Sequence, residues 1–321
     1  MYNAAPYAAA PGTDMLDQTK PDPAAPLSRQ LSTDAAIVTL LAGCQSELVA
    51  AVRAALDRPA PDAIHALRVT LRRLRTALGL CRDWSGSDCF GTAEADAREL
   101  ASLLGGARNW DVLVTETLPR HAEALAGIVD LAPLVEAAQT ARDTQYRRML
   151  ARLDGPLPPK LLLGLALLVS DTPWRGPRGE LRKRLAGPVT PRAAKALAHL
   201  QRRQLRRGKR LLQLSDRERH RLRISVKRHT YAMDMLEPLW SKPKRQQAYR
   251  RNVKALQTAL GTLNDIETTR GLLDALAAEL PAPALQRAIG AVLGGAAHEK
   301  REQLAALAPI WRHARSAKAY W

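Results

Sequence analysis

A histidine followed by cations at helical spacing occurs twice in this chain. The first copy is His65-Ala-Leu-Arg68-Val-Thr-Leu-Arg72-Arg73-Leu-Arg75; the second, 155 residues later, is His220-Arg-Leu-Arg223-Ile-Ser-Val-Lys227-Arg228-His-Thr-Tyr231. Such rows concentrate fixed positive charge along one line of a helix, and guanidinium groups offer forked donors that match phosphate oxygens. Between Ala63 and Arg82 there is no Asp or Glu, so pairing within the helix cannot neutralise Arg68, Arg72, Arg73 or Arg75. The chemistry this pattern suits is the binding of a polyanion. A second echo follows each copy at an offset of 156: Leu104-Gly105 before Arg108-Asn109-Trp110-Asp111, and Leu260-Gly261 before Asn264-Asp265. Arg98 and Lys254 each lie six residues ahead of the echoed Leu. Two halves sharing one plan are expected of an internal repeat.

Other chemistries fit less well. His65 and His220 have no second His or Cys three or four residues away, and His298-Glu299 lacks the second His of a zinc protease. No Walker loop, nucleophile elbow or dinucleotide fingerprint occurs, so the sequence points to a protein that is not an enzyme and needs no metal or cofactor. Nucleic acid is the alternative ligand, since basic helices bind phosphodiester backbones. Against it stand the lack of zinc-finger spacing and the scarcity of stacking aromatics, with one Phe, six Trp and six Tyr. Trp84, Trp110, Trp174 and Trp240 sit near helix ends and read as core anchors. The residues alone leave open a third role, as a scaffold for partner helices or acidic lipid.

The elements that must position these groups are helices. Apolar residues recur at spacings of three and four, period-two alternation is absent, and Ala, Leu and Arg dominate. Helices are expected at about 32–57, 62–83, 89–104, 109–126, 131–152, 158–170, 190–214, 215–237, 242–260, 264–279 and 284–316. Thr190-Pro191 and the capping box Ser215-Asp-Arg-Glu218 mark two starts, and Pro238 marks an end. Taking about 100° per residue, His65, Arg68, Arg72 and Arg75 fall within about 80°, whereas Leu67, Leu71, Leu74 and Leu78 occupy about 60° elsewhere. One face packs while the other presents charge. The Gly- and Pro-rich stretch from Ser170 to Pro191 separates a first half, about 28–170, from a second, about 190–318.

Of the 49 basic residues 38 are Arg, and the net charge of +18 is uneven: residues 1–160 carry −2 and residues 161–321 carry +20. A sequence pI near 10.5 favours anionic partners. The run Gln201-Arg-Arg203-Gln-Leu-Arg206-Arg207 could extend the same surface, although charge runs are commonly solvated faces. Three cysteines without paired spacing suit a reducing cytoplasm. Residues 1–27, rich in Ala and Pro, lack the basic start and apolar run of a signal peptide and read as a disordered tail. The longest apolar stretch, Leu161 to Val169, is short of the roughly 20 residues that span a bilayer, so no membrane segment is expected.

The paired rows, with Leu104-Gly105-Gly-Ala-Arg108-Asn-Trp-Asp111 and Leu256-Gln-Thr-Ala-Leu-Gly261-Thr-Leu-Asn264-Asp265, closely resemble the CHAD family, the conserved histidine α-helical domains, over residues 29–316. The resemblance implies an all-α fold: two four-helix bundles related by a pseudo-twofold around a central basic cavity that binds inorganic polyphosphate. It assigns phosphate contact to His65, Arg68, Arg72, Arg73, Arg75, Arg98 and Arg108, and to His220, Arg223, Lys227, Arg228 and Lys254. Tyr231 would orient them, and Arg203 and Arg207 would extend the surface. Asp111 and Asp265 are expected as caps or Arg-orienting groups. The family's second row commonly reads Lys-Arg-Leu-Arg-Tyr; here Lys227-Arg228-His229-Thr230-Tyr231 lacks one cation, and Asn109 stands where Asp is frequent. The catalytic Glu-x-Glu-x-Lys strand of the triphosphate tunnel domains fused to some members is not visible. A cytoplasmic polyphosphate binder, associated with polyphosphate granules, is the resulting expectation.

Overall fold

A computed structural model describes residues 27–176 and 180–321. Of the expected N-terminal tail only Leu27 falls among them, and it is buried in the core. The described chain is all-α: α1 Thr33–Asp57, α2 Pro61–Ser85, α3 Gly91–Val112, α4 Leu118–Ala124, α5 Ala132–Leu153, α6 Leu157–Asp171, α7 Glu180–Leu185, α8 Val189–Arg207, α9 Asp216–Leu236, α10 Pro243–Glu279 and α11 Pro283–Ser316. The capping box at Ser215 is formed: its hydroxyl accepts the Glu218 N–H, and the Glu218 carboxylate accepts the Ser215 N–H. α9 gives way to a 3-10 turn containing Pro238.

Several boundaries differ from expectation. No break occurs at Leu104-Gly105 or at Gly261. α3 continues past Gly105 and joins α4 through a π turn, Leu113–Thr117, and α10 is a single 37-residue helix. A lone glycine retains its N–H and costs only about 1 kcal/mol in a helix, less than the burial of flanking leucines supplies. α8 starts at Val189 rather than Pro191 and ends at Arg207; Gly208, its C-cap, lies against the Trp311 ring, where a Cβ would come within 2.3 Å.

Helix neighbours recur between the halves. α1 packs on α2 as α8 does on α9, α2 on α3 as α9 on α10, and α3 on α5 as α10 on α11. The halves meet where α2 contacts α9 and α3 contacts α10. The main core joins α1–α3 and α6 to α8–α10 through residues such as Leu41, Leu71, Leu165, Leu197, Val226 and Leu256. A second, smaller core sets Trp110, Leu118 and Leu134 against Leu273, Leu285 and Ile289. Both cores draw on both halves, so packing unites them into one body. α1 is long and apolar enough to cross a membrane, yet Ala36, Ile37, Leu41, Leu48, Val52 and Ala55 of that helix are committed to the core.

Parts of the Gly- and Pro-rich connector are pinned down, while its residues 177–179 lie outside the described residues. Trp174 is fully buried and stacks on Phe90, and its indole N–H donates to Asp34 at 2.9 Å. Arg175 pairs with the same carboxylate at 2.7 Å. Asp34 sits in the first turn of α1, where the helix dipole favours a negative charge. The Thr33 N–H donates to Gly187 O and the Val189 N–H to Leu31 O, tying the starts of α1 and α8 together. Trp84, Trp110 and Trp240 are core anchors too, each less than 10% exposed. Replacing Asp34→Ala orphans the buried indole N–H and should cost about 2–3 kcal/mol. Asp57→Ala, which breaks the exposed Arg53–Asp57 pair, should cost no more than about 0.5 kcal/mol. Urea unfolding of the two variants reads the difference; equal midpoints would show that the connector is not anchored through Asp34.

Candidate functional site

α2 turns Leu67, Leu71, Leu74 and Leu78 into the core, each with no exposed area, so the line His65, Arg68, Arg72, Arg75 must face away from it. α9 does the same with Leu222, Val226, His229 and Met233, which leaves His220, Arg223, Lys227 and Tyr231 on the other side. α2 contacts α9, and the two lines meet across a trough. The trough comprises two cavities of about 540 and 530 Å³. Arg68, Arg72, His220, Arg223 and Lys227 line both. The first is completed by His65, Arg108, Asn109 and Asn264, the second by Arg75, Arg98, Arg228 and Tyr231.

Two glycines let guanidinium groups lie against helix backbone. A Cβ at Gly79 would come within 2.0 Å of Arg228 Nη2, and one at Gly105 within 3.3 Å of Arg68 Nη1. On α2 the line runs 65, 68, 72, 75, 79, 82, so Gly79 is the position in it without a side chain, and α9 fills it with Arg228. On α3 Gly105 lies between Arg98 and Arg108 and takes Arg68 in the same way. Gly105, which suggests a helix end in the sequence, is a close-approach position within α3, whereas a Cβ at Gly261 would meet nothing within 4 Å.

Carboxylates are few along the trough. Arg223 lies 3.6 Å from Asp265, Arg108 pairs with Glu116 at 2.8 Å, and Arg82 pairs with Glu94. Among the described residues Arg68, Arg72, Arg75, Arg98, Lys227 and Arg228 have no ion pair, and buried Arg68 Nη1 and Arg223 Nε have no hydrogen-bond partner within the protein. Burial, then the charges of Arg72, Arg108 and Arg223, pushes Arg68 down to about 10. Burial, then Arg223 and Arg72, pushes Lys227 down to about 7 against the opposing pull of Asp265. Arg75, Arg223, Arg228 and His65 are also lowered, with burial the first cause in each. Two unit charges 8 Å apart repel by about 2 kcal/mol at an effective dielectric near 20, so the empty trough is electrostatically unfavourable. Bound anions would relieve that cost.

The remaining residues singled out from sequence lie elsewhere. Arg73 is one residue off the line and forks onto Glu47, with both hydrogen bonds at 3.1 Å. Lys254 lines a separate cavity between α10 and α11 with Lys244, Arg250 and Arg251. Arg207 donates to the Arg221 carbonyl at 2.9 Å, and Arg203 lines neither cavity of the trough, although its charge reaches Arg228. These four depart from the expected lining: Arg73 is turned about 100° round α2 from Arg72, and Arg203, Arg207 and Lys254 lie on α8 and α10, outside the two rows. Asp111 is fully buried and accepts hydrogen bonds from Arg142 Nε and Tyr146 Oη, both at 2.7 Å, so it orients an arginine as expected, but one on α5. Arg82 and Arg219 also line the trough, outside the expected set. The i,i+7 step from Arg75 and the i−4 step from Arg223 were the available signals.

His220 Nδ1 meets the Asn264 side-chain oxygen. That oxygen only accepts, so the proton is on Nδ1 and Nε2 is left for a ligand. His229, in the place corresponding to Leu74, is fully buried against Tyr249 and Trp321, and burial pushes it down to about 4. It serves as a neutral core residue.

A family model described as the CHAD domain matches residues 39–274. The crystal structure of the CHAD domain from the plant Ricinus communis superposes with a TM-score of 0.75 at 26% identity, covering 93% of this chain and 96% of that one. PptA from Streptomyces chartreusis superposes with a TM-score of 0.65 at 17% identity, covering 88% and 100% respectively, which shows a common fold. No curated protein matches the chain.

Lys227 has a folded pKa below its unfolded value, so its charge opposes folding. The penalty is complete below about pH 7 and fades as pH rises toward the unfolded value near 10.4. Lys227→Met should therefore raise the melting temperature of the free protein at neutral pH while weakening anion binding. Calorimetry of a phosphate oligomer at pH 8 in two buffers of different ionisation enthalpy should show proton uptake that this variant loses. Gly79→Ala, which must push the Arg228 guanidinium aside, should weaken binding of the same oligomer while leaving helical circular dichroism unchanged; unaltered affinity would remove Arg228 from the site.

Proposed function

This chain belongs to the CHAD domain family, and we propose that it binds inorganic polyphosphate along the trough between α2 and α9 without turning it over. The observation that carries this reading is the convergence of two guanidinium rows from opposite halves upon one recess, with few carboxylates to neutralise them. Contacts are assigned to His65, Arg68, Arg72, Arg75, Arg98 and Arg108 from the first half, and to His220, Arg223, Lys227 and Arg228 from the second. Arginine forks grip successive non-bridging oxygens, and the positive field draws the polymer in. Because each phosphate adds contacts to a chain already held, affinity should rise with chain length until the trough is filled.

Recession favours polyphosphate over duplex nucleic acid. The Arg223 and Arg108 side chains are only 13% and 19% exposed. Cavities of about 540 and 530 Å³ walled by these side chains can admit a slender polymer, whereas the width of a duplex holds its backbone phosphates at the surface. The same reading puts the protein in the cytoplasm, on polyphosphate granules.

Arg68→Ala with Arg223→Ala should weaken polyphosphate binding at least about tenfold while helicity is retained. Arg73→Ala, which removes only the pair with Glu47, should change affinity less than about twofold. Competition between long-chain polyphosphate and duplex DNA at one salt concentration decides the ligand class. Displacement of bound polyphosphate by an equal phosphate concentration of DNA would sink the assignment.

A further inference from the structure

Away from the trough the molecule carries a second concentration of charge. From Lys183 to Ser215 there are ten Lys and Arg residues and no Asp or Glu. α8 buries Ala193, Leu197, Leu200 and Gln204 on one side. Lys195, His199, Arg202 and Arg206 are exposed on the other, within an arc of about 60° at roughly 100° per residue. The exposed Lys209 and Arg210 continue the row into the turn that follows. Arg217 and Arg221 are exposed on the adjoining start of α9, and Arg207 donates to the Arg221 carbonyl at 2.9 Å, which joins the two helices.

Solvated helix faces ordinarily interleave opposite charges at i,i+4 spacing. This one does not, and other elements do not supply the missing carboxylates: among the described residues Lys195, Arg202, Arg206, Lys209, Arg210 and Arg221 have no ion pair. The acidic residues that follow in sequence are engaged, Asp216 by Arg219 and Lys300 and Glu218 by the Ser215 cap. Burial, then the charges of Arg203, Arg206 and Arg221, lowers the pKa of Arg207, so these guanidinium groups crowd one another. None of the exposed cations lines either cavity of the trough, so filling the trough leaves them unneutralised.

Shape and chemistry select the partner. The row runs for about 16 Å from Lys195 to Arg206, and beyond it stands Leu212, 61% exposed at the tip of the hairpin between α8 and α9. A row without a recess suits a broad anionic surface rather than a thread. An apolar side chain at its end gains from contact only where phosphates overlie hydrocarbon. Stacking aromatics, which unpaired bases would use, are absent from Val189 to Arg221. The apolar side of α8 is committed to the core, so the helix would lie on headgroups rather than among acyl chains. Each basic side chain at an anionic leaflet strengthens partition by about fivefold.

We propose that the outer face of α8 and the tip after it form a docking surface for an anionic lipid bilayer: headgroup phosphates meet Lys195, Arg202, Arg206 and Lys209, and Leu212 enters beneath them. The contact is peripheral, made by a surface rather than by a membrane-crossing helix, and it is independent of the polyphosphate reading above.

Co-sedimentation of the full chain with lipid vesicles tests it. Vesicles containing about a third phosphatidylglycerol should retain the protein, vesicles of phosphatidylcholine alone should not, and retention should fall as salt is added. Arg202→Gln with Arg206→Gln and Lys209→Gln, confirmed folded by circular dichroism, should lower retention at least about tenfold. Leu212→Ser should lower it at least about threefold, and both proteins should keep their affinity for polyphosphate. If the triple variant does not fold, Arg206→Gln alone replaces it, with a loss of about threefold. Arg68→Ala with Arg223→Ala should bind vesicles as the parent does. Equal retention by the two lipids, or loss of vesicle binding in that trough variant, would overturn the proposal. So would a folded triple variant that loses polyphosphate together with vesicles, because the row would then belong to the path of the polymer. Preference for duplex DNA over anionic vesicles at equal phosphate, with Leu212→Ser indifferent, would overturn it in favour of nucleic acid. Vesicle retention by a parent protein that fails to bind polyphosphate would overturn the earlier reading and leave this one standing.

Discussion

Like charges held close in a partly dry recess are the constraint on which this structure turns. The guanidinium rows of α2 and α9 repel each other, and burial lowers the pKa of Arg68, Arg223, Arg228 and Lys227 together. Only a few carboxylates compensate locally, Asp265 beside Arg223 among them. What holds them is the opposite face of each helix, where Leu67, Leu71, Leu74 and Leu78 on α2 and Leu222 and Val226 on α9 are sealed in the main core. Each such burial contributes about 1.5–3 kcal/mol, so the apolar face outweighs the repulsion on the charged one. A binding site that is unfavourable when empty and favourable when filled is thereby kept preformed.

The same arrangement explains why the two halves share a core. Were each half an independent bundle, repulsion would drive the rows apart. Leucines and valines drawn from α1–α3 and α8–α10 into one apolar cluster oppose that separation. Pinning of the connector by Asp34, Trp174 and Arg175 acts in the same direction, since it ties α1 of one half to the start of the other. Gly79 and Gly105 refine the geometry by letting Arg228 and Arg68 reach across to a neighbouring helix. Each glycine gives up some helix propensity and makes room for a charge.

Much of this was legible in the chain. Helical class, most helix extents, the capping box at Ser215 and the two repeated rows follow from spacing, because an amphipathic helix has only one way to bury its apolar stripe. The same rule assigned Arg68, Arg72, Arg75, Arg223 and Lys227 to a common side. That arc leaves out Arg73, which the family resemblance added and which turns to Glu47 on α1. The resemblance also assigned Lys254, which lines the surface on which α10 meets α11.

What the sequence by itself determined was local: which residues are helical, which face of each helix packs, and that one face carries cations lacking intrahelical partners. Which helices face each other, how deeply the rows are recessed and which carboxylates reach them were decided by tertiary structure alone. The physical reason is distance in the chain. Arg223 meets Arg68 and Asp265, and Arg108 meets His65, only after packing brings separate helices together, and electrostatic energy depends on that separation in space rather than on order in sequence.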